Sequence, residues 1–170
     1  DTAKTLVHAF ISSRVDYCNS LLYGTTAHVQ RRLQAVMNAS ARLICGLGRY
    51  DHITPALRDD LHWLPVPQRI EYKVALLVYK CLHGTGPLYL TACCTALTMA
   101  DRQHQLRSIT RGDLVQPRTR TRRVGPRSFC SAAPAVWNSL PPTLRDFSLT
   151  LGQFKKHLKH HLFITVYNGW

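Results

Sequence analysis

The sequence predicts an all-α fold, built as a helical bundle, an Arg-rich irregular or short-hairpin connector, and a C-terminal helical lobe. Two observations predict it. Apolar residues recur every three or four positions over most of the chain, and Gly or Pro residues separate these stretches. We expect the bundle over residues 1–95, the connector over 96–127 and the lobe over 128–170.

Four helices are predicted in the first half. The first spans 2–22, where Leu6, Phe10, Tyr17 and Leu21 form one apolar stripe with Val7, Ile11, Cys18 and Leu22 beside it. The second spans 27–45 and ends at Gly46. Its stripe consists of Val29, Leu33, Val36, Met37, Ser40, Leu43 and Ile44.

The third predicted helix spans Asp51–Leu61, with Asp51 as N-cap and Pro55 in its first turn. A hinge over Trp63–Pro67 separates it from the fourth helix, because two prolines two positions apart cannot continue a helix. The fourth helix, Gln68–His83, is the most apolar and should be central.

The second half is predicted to hold a short turn of helix within Pro87–Cys94 and two longer helices. One spans Ser128–Ser139, with Pro134 at or near a break. The other spans roughly 149–163, and Thr150 and Gln153 have the capping-box spacing. We expect this C-terminal lobe to pack on the first through Trp137 and Phe154.

The charge balance favours a nucleic-acid partner. Lys and Arg number 22 against 9 Asp and Glu, a formal net charge of +13, and most of the cations are Arg. Arg binds phosphate bidentately, so an Arg-rich excess points to nucleic acid. The alternative is a basic protein without a specific partner.

The Arg-rich stretch of residues 100–127 is the main candidate for nucleic-acid recognition. Thr alternates with Arg between 118 and 123, which favours an exposed extended ribbon. Side chains 118, 120 and 122 would then share one face about 6.6–7 Å apart, close to the phosphate spacing of a single strand. The candidate residues are Arg118, Arg120, Arg122, Arg123 and Arg127. The alternative is a solvated basic loop, and the scarcity of aromatic residues argues against base stacking by these arginines.

Lys155, Lys156 and Lys159 form a second candidate surface on the last helix. They could bind phosphate or an anionic membrane surface, or form the outer face of a packed helix. His157, His160 and His161 have a superficial metal-ligand spacing, but no carboxylate or Cys lies near them in sequence, so we predict no metal site.

The six cysteines predict neither a disulfide framework nor a zinc site. No signal peptide opens the chain and no C-x-x-C pair is present. Cys18, Cys45, Cys81 and Cys130 lie in apolar or helical stretches, where free Cys behaves as a small hydrophobe. No apolar run approaches the ~20 residues needed to span a bilayer, so no membrane partner is expected.

Enzymatic function is not expected of this chain. It has no Gly-x-Ser-x-Gly elbow and no phosphate-binding glycine pattern. Asp59 and Asp60 are adjacent in a helix and point in different directions, which makes a poor two-metal site. We therefore predict no catalytic residue, no cofactor and no small-molecule substrate.

Three long motifs in series carry a family resemblance. The first is Leu6–Gly24 followed by Leu33–Ile44; the second is Asp51–Leu57 leading into Leu61-His-Trp-Leu-Pro-Val66; the third is Arg127–Pro141, which contains Ala-Val-Trp-Asn-Ser-Leu-Pro, with the basic helix Phe154–Leu162. In this order they resemble the C-terminal, thumb and post-thumb region of the reverse transcriptase of LINE-type, non-long-terminal-repeat retrotransposons.

The resemblance implies a helical thumb that begins near residue 2, with the polymerase palm and fingers and the endonuclease upstream of Asp1. The polymerase's Tyr-x-Asp-Asp turn is not found here, so no catalytic residue is carried over. The family's thumb contacts the template–primer duplex, which fits Arg31 and Arg32 in addition to the Arg-rich stretch. The implied partners are RNA or an RNA–DNA hybrid and the upstream palm and fingers. The implied location is intracellular, in cytoplasm and nucleus, rather than secreted.

Overall fold

A computed structural model describes residues 2–96, 112–119, 121 and 125–167. Within these ranges the chain is helical, and the only strand-like pairing is an isolated antiparallel bridge between Ala96 and Leu114. The predicted all-α fold class is confirmed; its likeness to a thumb stays a prediction.

The chain divides into two compact units. The first comprises Asp1–Ile70 with Leu162–Trp170, and the second comprises Glu71–His161. Both boundaries fall inside helices, which are α5 (Val66–Leu82) and α8 (Leu151–Tyr167). The domain boundaries at residues 95 and 127 stay a prediction from the sequence.

The first helix of the first unit is shorter than predicted. It consists of α1 (Thr2–Val7), a π-helical turn (His8–Ser12) and α2 (Ser13–Asp16). Cys18 then takes a left-handed conformation with φ of 52°, and a 3₁₀ turn covers Asn19–Leu22. A π turn adds a residue to the helical repeat, and a left-handed residue ends the helix, so the two apolar stripes do not continue across this region.

The structure decides which of the two stripes faces the core. Leu6, Phe10, Tyr17 and Leu21 are 51%, 70%, 79% and 73% exposed. Val7, with Ile11 and Val15 packed beside it, faces the core instead. The periodicity identified a helix correctly, but two adjacent apolar stripes left its rotation undetermined.

The second helix has the predicted bounds. Helix α3 spans Ala27–Cys45, and Gly46 follows it with φ of +66°, donating its backbone N–H to the carbonyl of Arg42. Met37, Ser40 and Ala41 are buried, whereas Val29, Val36 and Leu43 of the predicted stripe are exposed. The buried face is therefore narrower than the sequence predicted.

The third helix forms, but Asp51 does not cap it. Helix α4 (Ile53–Pro55) continues as a π turn over Ala56–Asp60, and His52 occupies the N-cap position. The Asp51 carboxylate accepts a hydrogen bond from the Gly48 N–H at 2.7 Å. Asp51 therefore closes the preceding turn, because that N–H lies three residues back and within easy reach.

Trp63 lies in the core of the first unit. Its backbone N–H donates to the carbonyl of Leu57 at 2.8 Å, and its own carbonyl accepts from the Tyr167 hydroxyl at 2.9 Å. The guanidinium of Arg69 lies over the indole at 5.6 Å and pairs with Asp16 at 2.8 Å. These contacts hold Trp63–Pro65 as an ordered turn. Helix α5 begins at Val66, two residues earlier than predicted, and includes Pro67 in its first turn, where a backbone N–H would have no partner within the helix in any case.

The second unit is built on α5, α7 (Phe129–Ser139) and α8, with α6 (Leu88–Thr91) and 3₁₀ turns at Gly125–Arg127 and Pro142–Leu144 between them. Tyr79 of α5 stacks on Phe154 of α8 with ring centroids 4.4 Å apart, and Trp137 of α7 lies 6.0 Å from the same ring. Thus Trp137 and Phe154 pack in the core of this unit, as the apolar patterns predicted.

Pro134 does not break α7, contrary to the prediction. It lies inside the continuous helix and is fully buried. A proline removes one backbone hydrogen bond. In α7 the Pro134 ring is buried, as are Ala133 and Trp137, and this apolar burial opposes the cost of the lost hydrogen bond.

The expectation of no disulfide was also wrong. Cys93, which follows α6, is bonded to Cys130 in the first turn of α7, with Cα atoms 4.5 Å apart. The two cysteines are 37 residues apart in sequence, so spacing gave no signal of their proximity. Cys81 and Cys94 are buried free thiols, whereas Cys18 is exposed rather than packed as a small hydrophobe.

Candidate nucleic-acid interface

Arg31 and Arg32 lie on the exposed side of α3, in the first unit. The Nε of Arg31 donates to the carbonyl of Ala27 at 3.3 Å, which holds the side chain along the helix surface. The first turn of α3 carries no acidic side chain. Both guanidinium groups are therefore placed where a phosphate can reach them.

Lys155, Lys156 and Lys159 lie on the exposed face of α8, in the second unit. The helix begins with the predicted capping box: Thr150 N–H donates to Oε1 of Gln153 at 3.0 Å, and Gln153 N–H donates to the Thr150 hydroxyl at 3.3 Å. Phe154 and Leu158 bury the opposite face. This burial sets the rotation of the helix and directs the three lysines to solvent.

The Arg-rich stretch is described only in part. Arg118 and Arg127 are exposed, the former in an irregular segment and the latter in the 3₁₀ turn Gly125–Arg127. Arg120, Arg122 and Arg123 lie outside the described residues, so the predicted ribbon and its shared face stay a prediction. Residues 115–119 have no regular secondary structure, and an extended ribbon and a loop both stay open for this stretch.

The candidate cations differ from the arginines that the fold uses. Arg58 pairs with Asp59 at 2.7 Å, Arg69 pairs with Asp16, and the buried Arg145 pairs with Asp113. The candidate residues that the structure describes form no ion pair with any described carboxylate. Their charge is thus available to an anionic partner.

Within the second unit, three side chains bind the segment Gly112–Leu114: Trp137, Asn138 and Arg145. The sequence analysis identified Trp137 as a core residue but missed Asn138 and Arg145. The indole N–H of Trp137 donates to the carbonyl of Gly112 at 3.0 Å. Asn138 accepts from Leu114 N–H at 2.8 Å and donates to the Leu114 carbonyl at 3.0 Å. The third contact is the Arg145–Asp113 ion pair.

The signal for this anchor was the Trp-Asn pair within the third motif. A polar residue beside a buried Trp at the end of an apolar helix indicates a backbone contact. The partner segment could not be identified, because it lies more than twenty residues earlier in the chain. The anchored Gly112–Leu114 segment leads directly to Arg118.

Among the described residues, no group of three or more His, Cys, Asp or Glu side chains could hold a metal ion. No described helix is long and apolar enough to cross a membrane.

Comparison with known proteins identified no relative. No family model, curated protein or solved structure matches the chain.

Proposed function

We propose that this chain is a non-catalytic part of the C-terminal region of a LINE-type retrotransposon reverse transcriptase, and that it binds RNA or an RNA–DNA hybrid by the phosphate backbone. The observation that carries the proposal is the set of exposed cations on two well-formed helices, α3 and α8, which lack carboxylate partners among the described residues. The family assignment itself rests on the three sequence motifs.

Phosphate contacts made by Lys and Arg carry little sequence information and weaken steeply with salt. The binding should therefore tolerate changes of nucleic-acid sequence. The upstream palm and fingers are the second proposed partner. The exposed apolar side chains Leu6 and Phe10, four residues apart in the first helix, support this, because a partner that covers them removes apolar surface from water.

The test is a fluorescence-anisotropy titration of the purified chain against single-stranded RNA and an RNA–DNA hybrid, across a salt series. For single-stranded RNA, each phosphate contact should add about 0.7 to the slope of log affinity against log salt. Reversal of Arg118, Arg120, Arg122 and Arg123 to Glu should abolish binding. Retained affinity in this variant would remove the Arg-rich stretch from the site.

A matched pair of triple variants tests the helical surface. Neutralisation of Lys155, Lys156 and Lys159 to Gln should lower the salt slope by about 2. The same charge change at the exposed residues Lys4, Arg14 and Arg49, which are outside the proposed site, should change it much less. Equal effects would show that only net charge matters.

The second candidate is an inactive retroelement remnant that serves as a structural or protein-interaction domain. The same exposed apolar side chains favour it. It predicts nucleic-acid affinity no greater than that of a charge-scrambled variant with the same composition. If the charge-scrambled variant binds nucleic acid as tightly as the native chain does, the second candidate is the better assignment.

A further inference from the structure

The first unit contains a cavity of about 520 Å³ that none of the motifs predicted. It is an open concave site beside α3, bordered by α4, by Pro65 and Pro67 and by the end of α8. Its lining is mainly apolar and includes Ile53, Leu57 and Pro65. A concave apolar site with a few polar groups is the usual form of a ligand-binding pocket.

The polar groups of the cavity are carboxamides from α3. Gln34 accepts a hydrogen bond from the N–H of Val66 at 2.8 Å and donates one to Oδ1 of Asn38 at 2.8 Å. The first bond orients Gln34, and the second orients Asn38. They leave the Nδ2 of Asn38 and the whole amide of Gln30 without a hydrogen-bond partner among the described residues. Amide groups with free donors and acceptors thus border the apolar floor at two points along α3.

The charge of the cavity is positive. Arg31 and Arg58 contribute to the lining, and no Asp or Glu does. Asp59 neutralises Arg58 through two hydrogen bonds, at 2.7 and 2.9 Å. In Arg31 only Nε donates a hydrogen bond, which the carbonyl of Ala27 accepts. The terminal nitrogens of Arg31 are therefore the group that would attract an anion to this site.

We infer that this cavity binds one unstacked nucleotide of a single-stranded nucleic acid, with its base inside and its phosphate at Arg31. The inference rests on the proposed function and adds a base-dependent contact to it. The base lies against Tyr167 and the apolar floor, and its edge meets the free amide of Gln30, which is next to Arg31 in α3. Asn and Gln amides pair with base edges through one donor and one acceptor.

An alkyl-chain anion such as a fatty acid fits the cavity less well. Its chain would cover the amides of Gln30 and Asn38 and leave them without a partner, which is costly for buried polar groups. A nucleobase pairs with the amide of Gln30 through its edge and contacts the apolar floor with its face. Tyr167 supplies the aromatic ring that is missing from the Arg-rich stretch.

The probes for the test are two fluorescein-labelled single strands of equal length and equal charge. One is an RNA hexamer, and the other is the corresponding abasic ribose-phosphate chain. The native protein should bind the RNA at least about fivefold more tightly, the lower limit for stacking one base on an aromatic side chain. Equal affinity for both strands would overturn the cavity site but leave backbone binding intact. Failure to bind either strand would overturn the proposed function itself.

Two matched pairs of variants test whether the preference for the RNA hexamer over the abasic chain arises in the cavity. Ala27→Phe fills it from an exposed position in the first turn of α3, whereas Ala35→Phe makes the same change on the exposed face of the same helix, away from the cavity. Ala27→Phe should abolish the preference for RNA, and Ala35→Phe should keep it. If both variants keep it, the cavity does not hold the base.

The second pair of variants keeps the test valid if the introduced Phe disturbs the fold. Arg31→Gln and Arg32→Gln each remove one exposed charge from α3, but only Arg31 lines the cavity. Arg31→Gln should lower the affinity for the RNA hexamer several-fold more than Arg32→Gln does, with unchanged circular dichroism in both. Equal losses would overturn the placement of the phosphate at Arg31.

Discussion

Replacement of Trp137 by Phe should destabilise the chain through one identifiable hydrogen bond. The indole is only 1% exposed, and its N–H donates to the carbonyl of Gly112 at 3.0 Å. Phe removes the donor and leaves this carbonyl without its partner, at a cost of about 1–3 kcal/mol. The smaller ring also buries less apolar surface, equivalent to about two methylene groups or roughly 1.5 kcal/mol.

The summed loss in the free energy of unfolding is about 3 kcal/mol, which corresponds to a fall in Tm of about 6–12 °C for a chain of this size. Trp63→Phe is the matched control. Trp63 is also buried, but its indole N–H has no hydrogen-bond partner among the described residues. There the ring is smaller and the cation–π contact with Arg69 is weaker, so a loss of about 1.5–2.5 kcal/mol is expected.

Urea denaturation followed by circular dichroism measures both variants. If Trp137→Phe is no more destabilising than Trp63→Phe, the bond to Gly112 does not stabilise the fold, and the role of Trp137 reduces to packing.

Three further measurements test other parts of the structure. Burial, reinforced by the neighbouring Cys81 thiol, raises the pKa of Cys94 to about 12. Iodoacetamide at pH 8 should therefore label the exposed Cys18 and leave Cys94 unlabelled, which peptide mass spectrometry measures. Rapid labelling of Cys94 would contradict its burial. Burial also raises the pKa of the Glu71 carboxyl above its ordinary 4.5, so stability should fall as pH rises from 4.5 through the folded-state pKa and then level off. Glu71→Gln should remove this fall and be more stable than the native chain at pH 7, and an unchanged pH profile of Tm would refute the reasoning. Gly46→Ala should lower the free energy of unfolding by about 1 kcal/mol because φ is +66°, whereas Gly152→Ala in the first turn of α8 should raise it by about 0.4–1 kcal/mol; a calorimetric Tm shift of the same sign in both would contradict the assignment of the left-handed cap.

Local sequence patterns predicted the elements well where the deciding interactions are also local. The bounds of α3 follow from helical periodicity and from Gly46, which takes the left-handed conformation that ends the helix. The capping box of Thr150 and Gln153 formed as predicted, because its partners are three residues apart. Lys155, Lys156 and Lys159 were exposed as expected once Phe154 and Leu158 were assigned to the core.

Local sequence patterns failed where two local arrangements of the chain have similar energy. The first helix offers two adjacent apolar stripes, and only packing against Met37 and Trp63 decides that Val7 faces inward while Phe10 faces water. Asp51 had two backbone N–H groups within reach, and the turn at Gly48 was preferred to the helix.

The sequence by itself thus determined the fold class, the positions of most helices and the excess of positive charge, because helix formation and net charge depend on neighbouring residues and on composition. Tertiary structure alone decided which cysteines bond, which segment Trp137 and Asn138 anchor, and where α3 forms one wall of a cavity. Each of these joins residues more than twenty positions apart, and such contacts depend on how the chain folds back on itself rather than on any spacing within it.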